Sequence, residues 1–378
     1  MRYVIIGNGI AGQSAAEELL RRDSTASVVM ITGEPHPLYN RVALPRYLQG
    51  QLRREKVFLR SKEDYQAKGI EIHFESWVRE IDPGKQLVRT DKGREFAYDA
   101  LLVATGGRPK PPPWPGSHEL PKSKMFGFQT LDDTDRIIEA ADEAARVLVL
   151  GGSFIAYELA EGIAHRQRAE VTWVMRGPWF LRDILDAEGG GLCRRMGEER
   201  GVEFICTDEI KYLSVSGERF SATTMSGRQL GEFDLLVYGV GLDYYVEPLS
   251  GVGVELRRGV VTDVQLRTAL PNIYAAGDVA VFFDRMLGTH NQMGTWDNAK
   301  AHGVVAAHNM AGENEEFFDV PTYTTTMFGS TLAVMGITPD VHPGLESVRV
   351  YAPDDPLYRK LFFLEERLVG AVMIGSPK

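Results

Sequence analysis

The chain begins with an apolar segment that leads directly into a glycine-rich turn. The segment reads Tyr3-Val-Ile-Ile-Gly7-Asn-Gly9-Ile10-Ala11-Gly12 and predicts a buried strand, a Gly-x-Gly-x-x-Gly turn and the start of a helix. In such a turn the first glycine permits the tight bend, the second lets a phosphate approach the backbone, and the third packs the helix against the strand. The first helical amides, at Ile10 and Ala11, would face the anion that a helix N-terminus favours. The sequence therefore predicts a dinucleotide-binding fold at the start of the chain.

An acidic residue at the expected distance strengthens this prediction. Glu34 lies 22 residues after Gly12 and follows the next apolar run, at 28–31. A carboxylate in this place can accept both hydroxyls of an adenosine ribose. The glycine pattern alone is a weak signal because 39 of the 378 residues are glycine. The strand before it, the helix after it and the acid beyond make the pattern specific.

Composition restricts the classes of protein to which the chain can belong. A hydrophobic content of 44% and a charged content of 25% are those of an ordinary globular protein. We expect no signal peptide, because the first residues already form a core strand, and no membrane span, because no run of 18 apolar residues occurs. The net charge of −10 argues against general nucleic-acid binding.

Cysteine and histidine usage bears on compartment and on metal binding. Cys193 and Cys206 are the two cysteines, which fits a reducing cytoplasm and leaves no disulfide framework. The eight histidines do not cluster with cysteine or acid in a ligand-like spacing, so we predict no protein-bound metal.

The opening pattern occurs a second time after a proline-rich stretch at 109–115. A strand at 146–150 leads into Gly151-Gly152-Ser153-Phe154-Ile155-Ala156 and a helix. Ser153 replaces the second glycine, so a pyrophosphate can approach the backbone less freely, whereas alanine for the third glycine is an accepted variant. Met175 stands where a ribose-binding acid would be, and Arg176 follows it and could pair with a 2′-phosphate. That this second fold binds no nucleotide remains open.

The order of these segments predicts an α/β protein with two Rossmann-like dinucleotide-binding domains and a small C-terminal α+β domain. The chain returns to the first domain with a strand from Phe233 that ends at Gly241, a strand ending at Gly277-Asp278, and a helix at 295–310. Alternating residues from about 316 onward indicate an antiparallel sheet. We therefore predict a first domain of 1–108 and 231–315, a second of 109–230, and a C-terminal interface domain of 316–378, whose completeness stays open.

Several motifs, in this order, resemble those of a known superfamily. They are the turn with Glu34, Tyr39-Asn40-Arg41-Val-Ala-Leu44, Ala104-Thr105-Gly106-Gly107, Ile273-Tyr-Ala-Ala-Gly277-Asp278 and Gly294-Thr-Trp296-Asp-Asn-Ala299. Together they resemble the pyridine nucleotide–disulfide oxidoreductase superfamily, in the branch without a redox disulfide. That branch includes ferredoxin and rubredoxin reductases, the FAD part of nitrite reductases, and the NAD-linked FAD subunits of anaerobic aldehyde and 2-oxoacid oxidoreductases.

The resemblance implies FAD in the first fold and a nicotinamide nucleotide in the second. It implies an FAD site formed by Gly7, Gly9, Ile10, Ala11, Gly12, Glu34, Asn40, Arg41, Val78, Ala104, Thr105, Gly106, Gly277, Asp278 and Ala299. It implies an NAD(P) site formed by Gly151, Gly152, Ser153, Phe154, Ile155, Arg176 and Gly241. NAD(H) is favoured by the resemblance, and Arg176 keeps NADP(H) open.

Some of these residues have more specific implied roles, each with an ordinary alternative. Asp278 would accept a hydrogen bond from the ribityl chain or cap a helix, and Arg41 would neutralise the pyrophosphate or lie on the surface. Val78 would offer backbone groups to the adenine or simply fill a core strand. Glu158 and Trp296 are the candidate catalytic residues beside nicotinamide and flavin; a domain-interface salt bridge and a packed core tryptophan are their alternatives.

The chemistry implied is electron transfer through flavin. No cysteine lies near 40–48, where oxidase and coenzyme A disulfide reductase relatives carry a redox thiol, and there is no cysteine set for a cluster. We therefore predict an FAD-dependent NAD(P)H oxidoreductase that exchanges electrons with a separate iron–sulfur protein or subunit, as part of a hetero-oligomer. The alternatives are a flavin-binding interaction protein with a degenerate nicotinamide site and a thiol-free NADH oxidase. The basic segment 40–62 is a candidate docking face or a solvated loop and helix.

Overall fold

A computed structural model describes residues 1–352 and 357–375. In chain order, the strands are β1 (Arg2–Ile6), β2 (Ser27–Ile31), β3 (Ile70–His73), β4 (Val78–Asp82), β5 (Leu87–Thr90), β6 (Glu95–Ala97), β7 (Ala100–Val103), β8 (Gly107–Pro109), β9 (Met125–Gly127), β10 (Arg146–Leu150), β11 (Glu170–Val174), β12 (Val202–Ile205), β13 (Ile210–Ser216), β14 (Arg219–Thr224), β15 (Gln229–Phe233), β16 (Leu235–Tyr238), β17 (Leu242–Tyr244), β18 (Val260–Thr262), β19 (Ile273–Ala275), β20 (Ala280–Asp284), β21 (Thr289–Asn291), β22 (Thr322–Met327), β23 (Ser330–Gly336), β24 (Glu346–Ala352), β25 (Leu357–Leu364) and β26 (Arg367–Ile374). The helices are α1 (Ile10–Arg22), α2 (Leu44–Leu48), α3 (Lys62–Ala67), α4 (Leu131–Glu143), α5 (Phe154–His165), α6 (Ala187–Glu198) and α7 (Trp296–Met310).

The chain forms two compact units. The first contains Met1–Asn40, Phe58–Arg108 and Asp243–Pro321, and the second contains Arg41–Val57, Pro109–Leu242 and Thr322–Lys378. The division into three domains stays a prediction. Its last part includes residues 353–356 and 376–378, which lie outside the described residues.

The first unit is built on a parallel sheet with strand order β19-β7-β1-β2-β3. Alternation along β1 sends Tyr3 and Ile5 to one face of the sheet and Val4 and Ile6 to the other, where each pair joins a separate hydrophobic core. Both faces are therefore covered, which is why the central strands are continuous apolar runs. The first face packs against α1 and α7, and the second against the antiparallel strands β4 and β5.

The second unit repeats this plan. Its parallel sheet has the order β12-β11-β10-β16-β9, and the antiparallel strands β13, β14 and β15 pack beside it. The C-terminal strands form an antiparallel sheet of order β22-β23-β26-β25-β24. The predicted α/β class with two Rossmann-like folds is confirmed, and the small C-terminal part is this antiparallel sheet.

Candidate functional site

Three of the predicted motifs meet at one edge of the first sheet. Ile6 lies opposite Val103, and Val103 lies opposite Ala275, so β1, β7 and β19 end in register. The amide of Ala104 donates to the carbonyl of Ile6 at 2.8 Å, and the amide of Ala276 donates to Val103 at 3.0 Å. The glycine turn, the segment Ala104-Thr105-Gly106 and the pair Gly277-Asp278 therefore follow neighbouring strands, although more than 90 residues separate successive motifs.

The three glycines of the first turn have distinct structural roles. Gly7 has φ +114°, and a Cβ there would lie 2.1 Å from the carbonyl oxygen of Ala104. A Cβ on Gly12 would lie 2.1 Å from the carbonyl oxygen of Gly7. A Cβ on Gly9, by contrast, would meet no heavy atom of the described residues within 4 Å. The fold itself thus requires Gly7 and Gly12, while the space at Gly9 suits a bound phosphate.

The N-terminus of α1, which follows this turn, is not capped by the side chain of its N-cap residue. Gly9 is the N-cap of α1, and no side chain of the described residues accepts a hydrogen bond there. The counterpart helix α5 is capped by Ser153, whose Oγ accepts from the amide of Ala156 at 3.4 Å. The N-terminus of α1, at Ile10 and Ala11, is therefore suited to an external anion.

Small residues bring the segment of Gly277 against two helices. A Cβ on Gly277 would lie 3.1 Å from Cβ of Ala11 and 3.5 Å from Cβ of Ala299. The amide of Gly277 donates to Nδ1 of His302, a fully buried side chain, at 3.2 Å. Burial lowers the pKa of His302 to about 3, so the ring stays neutral and can accept this bond. The position of Asp278 is fixed further by Gln292, whose Nε2 donates to its carbonyl at 2.8 Å.

Aromatic side chains lie around Glu34, and the sequence motifs did not predict these contacts. The hydroxyl of Tyr39 donates to Oε2 of Glu34 at 2.7 Å, so this carboxylate already has one partner. The indole of Trp77 lies over Gly33, where a Cβ would be 2.4 Å from the ring. The carbonyl of Val78 accepts the hydroxyl of Tyr245 at 3.0 Å, so this backbone oxygen is already engaged.

The second glycine turn repeats the geometry of the first. Gly151 has φ +124°, and a Cβ there would lie 2.3 Å from the carbonyl oxygen of Gly239. Ser153 also donates through Oγ to that carbonyl at 2.9 Å, so the serine side chain helps to hold the turn. Gly152, in contrast, is exposed. From the sequence, Ser153 is expected to hinder the approach of a phosphate to the backbone. In the structure it is the N-cap of α5 and also holds the turn through a hydrogen bond.

Glu158 lies one turn into α5 and is paired with a tyrosine distant in sequence. Its Oε1 accepts the hydroxyl of Tyr323, on β22, at 3.0 Å. The ring of Tyr323 packs on Phe154 with centroids 3.9 Å apart. The residue keeps some exposed surface, but its carboxyl group is desolvated, and this burial raises the pKa of Glu158 to about 7 against the opposing effect of the tyrosine hydroxyl.

A second carboxylate lies on the same helix. Glu161 accepts the amide of Phe328 at 2.5 Å and the hydroxyl of Tyr157. Burial raises the pKa of Glu161, and its negative charge adds to the rise at Glu158. The C-terminal segment therefore supplies partners to both carboxylates of α5, a feature that no local signal in the sequence predicts.

With the two turns described, the sequence can be compared with known families. The sequence profile of the family described as Pyridine nucleotide-disulphide oxidoreductase matches residues 1–303. The chain belongs to this family. Membership confirms the predicted resemblance, the two predicted cofactors, FAD and a nicotinamide nucleotide, and the prediction of an oxidoreductase.

Two relatives of this family come from Bacillus subtilis (strain 168). The assimilatory nitrate reductase electron transfer subunit is 28% identical over 380 residues, covering 100% of this chain and 48% of the relative. Nitrite reductase [NAD(P)H] is 27% identical over 382 residues, covering 99% of this chain and 46% of the relative. The chain thus spans about half the length of these relatives.

A solved structure supports the fold independently. The covalent putidaredoxin reductase–putidaredoxin complex superposes with a TM-score of 0.92 at 22% identity, covering 100% of this chain and 90% of the matched one. At this level of identity the likeness establishes the fold.

Despite the family's name, the cysteines here are poorly suited to disulfide chemistry. Both are unpaired, and Cys193 is buried while Cys206 is partly exposed. Burial raises the pKa of Cys193 to about 12 and also raises that of Cys206. Because the thiolate is the reactive form, neither thiol is activated.

The cofactor-binding roles that the family resemblance implies for the remaining residues stay predictions. Arg41 falls in the second unit, where Nη1 donates to the carbonyl of Gln129 at 2.6 Å. Gly241 has φ +106°, and its carbonyl accepts the amide of Lys110 at 3.1 Å. Asn40 and Trp296 are half-buried, Trp296 as the first residue of α7. Arg176 is exposed directly after β11.

One group of side chains in the first unit could in principle ligate a metal. Ligand atoms of His308, Glu313 and Glu315 lie within 4.8 Å of one another. Each already has a protein partner, since His308 bonds to Glu315 and, through Nε2, to Glu18 at 2.7 Å, and Glu313 pairs with Arg22. The absence of a protein-bound metal stays a prediction. Within the part of the chain that the structure covers, no helix is long and apolar enough to cross a bilayer.

Proposed function

We propose that the chain is the FAD- and NAD(P)H-binding part of an electron-transfer oxidoreductase whose acceptor is an iron–sulfur protein or subunit. The observation that carries the proposal is the pair of glycine turns of matching geometry, Gly7 and Gly151, on separate parallel sheets. One such fold per nucleotide supplies sites for two redox partners. Neither of its two cysteines is an activated thiol that could store the electrons, so we assign that task to the bound flavin and the partner.

The residues of the first unit fit FAD. Open space at Gly9 and the uncapped N-terminus of α1 would receive the pyrophosphate, and Glu34 the ribose hydroxyls. Asp278, held through Gly277 and His302, would accept a hydroxyl of the ribityl chain. When bound, FAD would supply the chemistry that links two-electron hydride exchange with one-electron transfer. The role of the protein is therefore to position the flavin and the nicotinamide and to exclude water. No acid–base triad is required.

The second unit would hold the nicotinamide nucleotide at Gly151, Gly152 and the start of α5. Glu158 would lie beside the nicotinamide, with Tyr323 fixing its carboxyl group. Trp296, at the start of α7, is proposed beside the flavin.

The acceptor is proposed to be an iron–sulfur protein, and the complete assembly a hetero-oligomer. Relatives are named as an electron transfer subunit of nitrate reductase and as a reductase in complex with putidaredoxin. Two cysteines are too few to ligate an iron–sulfur cluster within this chain. We also propose the cytoplasm as its location, because both thiols are unpaired.

The basic segment 40–62 remains a proposed docking face, with fewer available charges than its sequence suggests. Arg54 pairs with Asp135 at 2.9 Å and Arg60 with Glu17 at 2.8 Å. Arg53 and Lys56 are exposed. Charge reversal at Arg53 and Lys56 should slow electron transfer to an acidic iron–sulfur protein and leave NAD(P)H-to-dye activity intact. Equal loss of both activities would contradict the docking role.

The first experiment is anaerobic titration of the purified flavoprotein with NADH and, separately, with NADPH, following the visible flavin absorbance. Bleaching within the mixing time by either nucleotide supports two working sites. Absence of bleaching by both would favour the interaction-protein alternative. Rapid oxygen consumption with a nicotinamide nucleotide as the only partner would favour the oxidase alternative.

A further inference from the structure

In a dinucleotide-binding fold, an acid at the end of the second strand commonly binds the ribose of the nucleotide. The second unit has no acid at the corresponding position, which is occupied by Met175. Met175 follows β11 and is 2% exposed, with its Cβ 3.8 Å from where a Cβ on Gly152 would lie. Its side chain thus packs beside the glycine turn in the place of a carboxylate. A thioether cannot accept the two ribose hydroxyls as a carboxylate does, and it does not repel a phosphate.

Two arginines border this strand end. Arg176 follows Met175 directly and is exposed. The stem of Arg182 lies over Gly177, where a Cβ would be 2.8 Å from Cδ of the arginine. The amide of Leu181 donates to the carbonyl of Gly152 at 3.3 Å, so the loop doubles back to the glycine turn just before Arg182. Arg176 and Arg182 therefore belong to one loop around Gly177 that returns to the glycine turn, with the stem of Arg182 over Gly177.

Aromatic anchors fix the loop that carries these arginines. Trp179 fills the space above Gly190 and donates through Nε1 to the carbonyl of Leu185 at 2.9 Å. Phe180 is buried and packs edge-on against Phe154 with centroids 5.8 Å apart. The backbone between the two arginines is thus held by packing, while their side chains stay in solvent. Such preorganisation reduces the entropy lost when a ligand binds.

Two acidic side chains lie near the same loop. Asp183 is 3.6 Å from Nε of Arg182, and both side chains are largely exposed, so this pair is weak. The amide of Asp208 donates to the carbonyl of Met175, but its carboxylate accepts Oγ of Ser226 at 2.6 Å. Neither acid occupies the position of Met175, and a phosphate can compete for Arg182.

From this arrangement we propose that the second unit selects NADP(H), with Arg176 and Arg182 binding the 2′-phosphate of the adenosine ribose. The inference rests on the proposed nucleotide-binding function and names its substrate. It opposes the preference for NAD(H) that the family resemblance suggests. Charge-assisted bonds from two guanidinium groups to one phosphate are strong and geometrically specific.

Calorimetry with two nucleotide fragments tests the inference without depending on turnover. The purified flavoprotein is titrated with 2′-phospho-ADP-ribose and with ADP-ribose, neither of which carries nicotinamide. The wild type should bind the phosphorylated fragment at least about tenfold more tightly, and this ratio should fall as salt is added. Arg176→Ala and Arg182→Ala should each reduce the ratio roughly tenfold while leaving the Kd of ADP-ribose within about twofold.

Two further variants sharpen the test. Arg168→Ala removes an exposed arginine before β11, at the opposite end of the strand from Arg176, and should leave both affinities unchanged. Met175→Asp should reverse the preference toward ADP-ribose, because a carboxylate there accepts the ribose hydroxyls and repels the phosphate.

Equal affinity of the wild type for both fragments, or equal loss of both in the arginine variants, would overturn the inference. In that case reduction of the flavin by NADH would still support the proposed function. Failure of both fragments to bind would overturn the proposed function of the second unit together with the inference.

Discussion

The buried carboxyl group of Glu158 should make stability depend on pH in a way that a single substitution removes. Its pKa rises from 4.5 to about 7, so the folded protein binds a proton that the unfolded chain releases. Because the folded pKa is the higher one, the stabilisation is complete below pH about 4.5 and is lost as the pH rises through about 7. The difference of 2.5 units between 4.5 and about 7 corresponds to about 3 kcal/mol.

Glu158→Gln is the matched perturbation. Glutamine keeps an oxygen that can accept the hydroxyl of Tyr323, but it cannot ionise. We expect the free energy of unfolding of the wild type to fall between pH 5 and pH 8 by up to about 3 kcal/mol more than that of the variant. The measurement is denaturant unfolding of the FAD-free protein at several pH values, with Glu199→Gln, on an exposed turn, as the control.

The comparison removes one ionisable group and keeps the others, so the difference between the two proteins reports Glu158 together with its coupling to Glu161. The difference between the two curves should be steepest between pH about 4.5 and about 7, where the unfolded chain has released the proton that the folded protein still binds. Parallel curves for wild type and Glu158→Gln across this range would refute the desolvation on which the argument rests. A loss of pH dependence in the Glu199→Gln control would show that the effect is not specific.

Four further changes have equally definite outcomes. Gly7→Ala should destabilise the FAD-free protein by about 3 kcal/mol, because the new methyl group would lie 2.1 Å from a carbonyl oxygen at φ +114°. Gly9→Ala should leave that stability unchanged but weaken FAD retention roughly tenfold; similar effects of both changes on unfolding would contradict the distinction. Tyr323→Phe keeps the ring on Phe154 but removes a hydrogen bond that favours ionised Glu158, so the pH at which the loss of stability levels off should move about one unit upward; a downward shift would contradict the contact. Replacing both cysteines by serine should leave the rate of flavin reduction by NAD(P)H within about twofold, and loss of reduction in a folded variant would show that a thiol takes part.

Much of the fold is determined by signals that are local in the sequence. The strand, turn and helix at Gly7 and again at Gly151 follow from hydrophobic runs and glycine spacing, because a tight turn with positive φ excludes most side chains. The helix predicted at 295–310 is observed as α7, Trp296–Met310. The family motifs also place Ala104 and Gly277 at strand ends, which the parallel register then brings to the edge that carries Gly7.

The tertiary structure alone decided the contacts that set the chemistry of individual groups. Tyr323 is 165 residues from Glu158, and His302 is 25 residues from Gly277, so no local pattern links either pair. In the sequence, Ser153 stands in place of a glycine, but in the folded protein it is the N-cap of α5. Arg54 looks like a free charge in the sequence, but in the folded protein it pairs with Asp135. Local sequence determines which backbone conformations are possible, but burial and hydrogen-bond partners arise only when distant segments pack together, because desolvation and pairing depend on everything that surrounds a group.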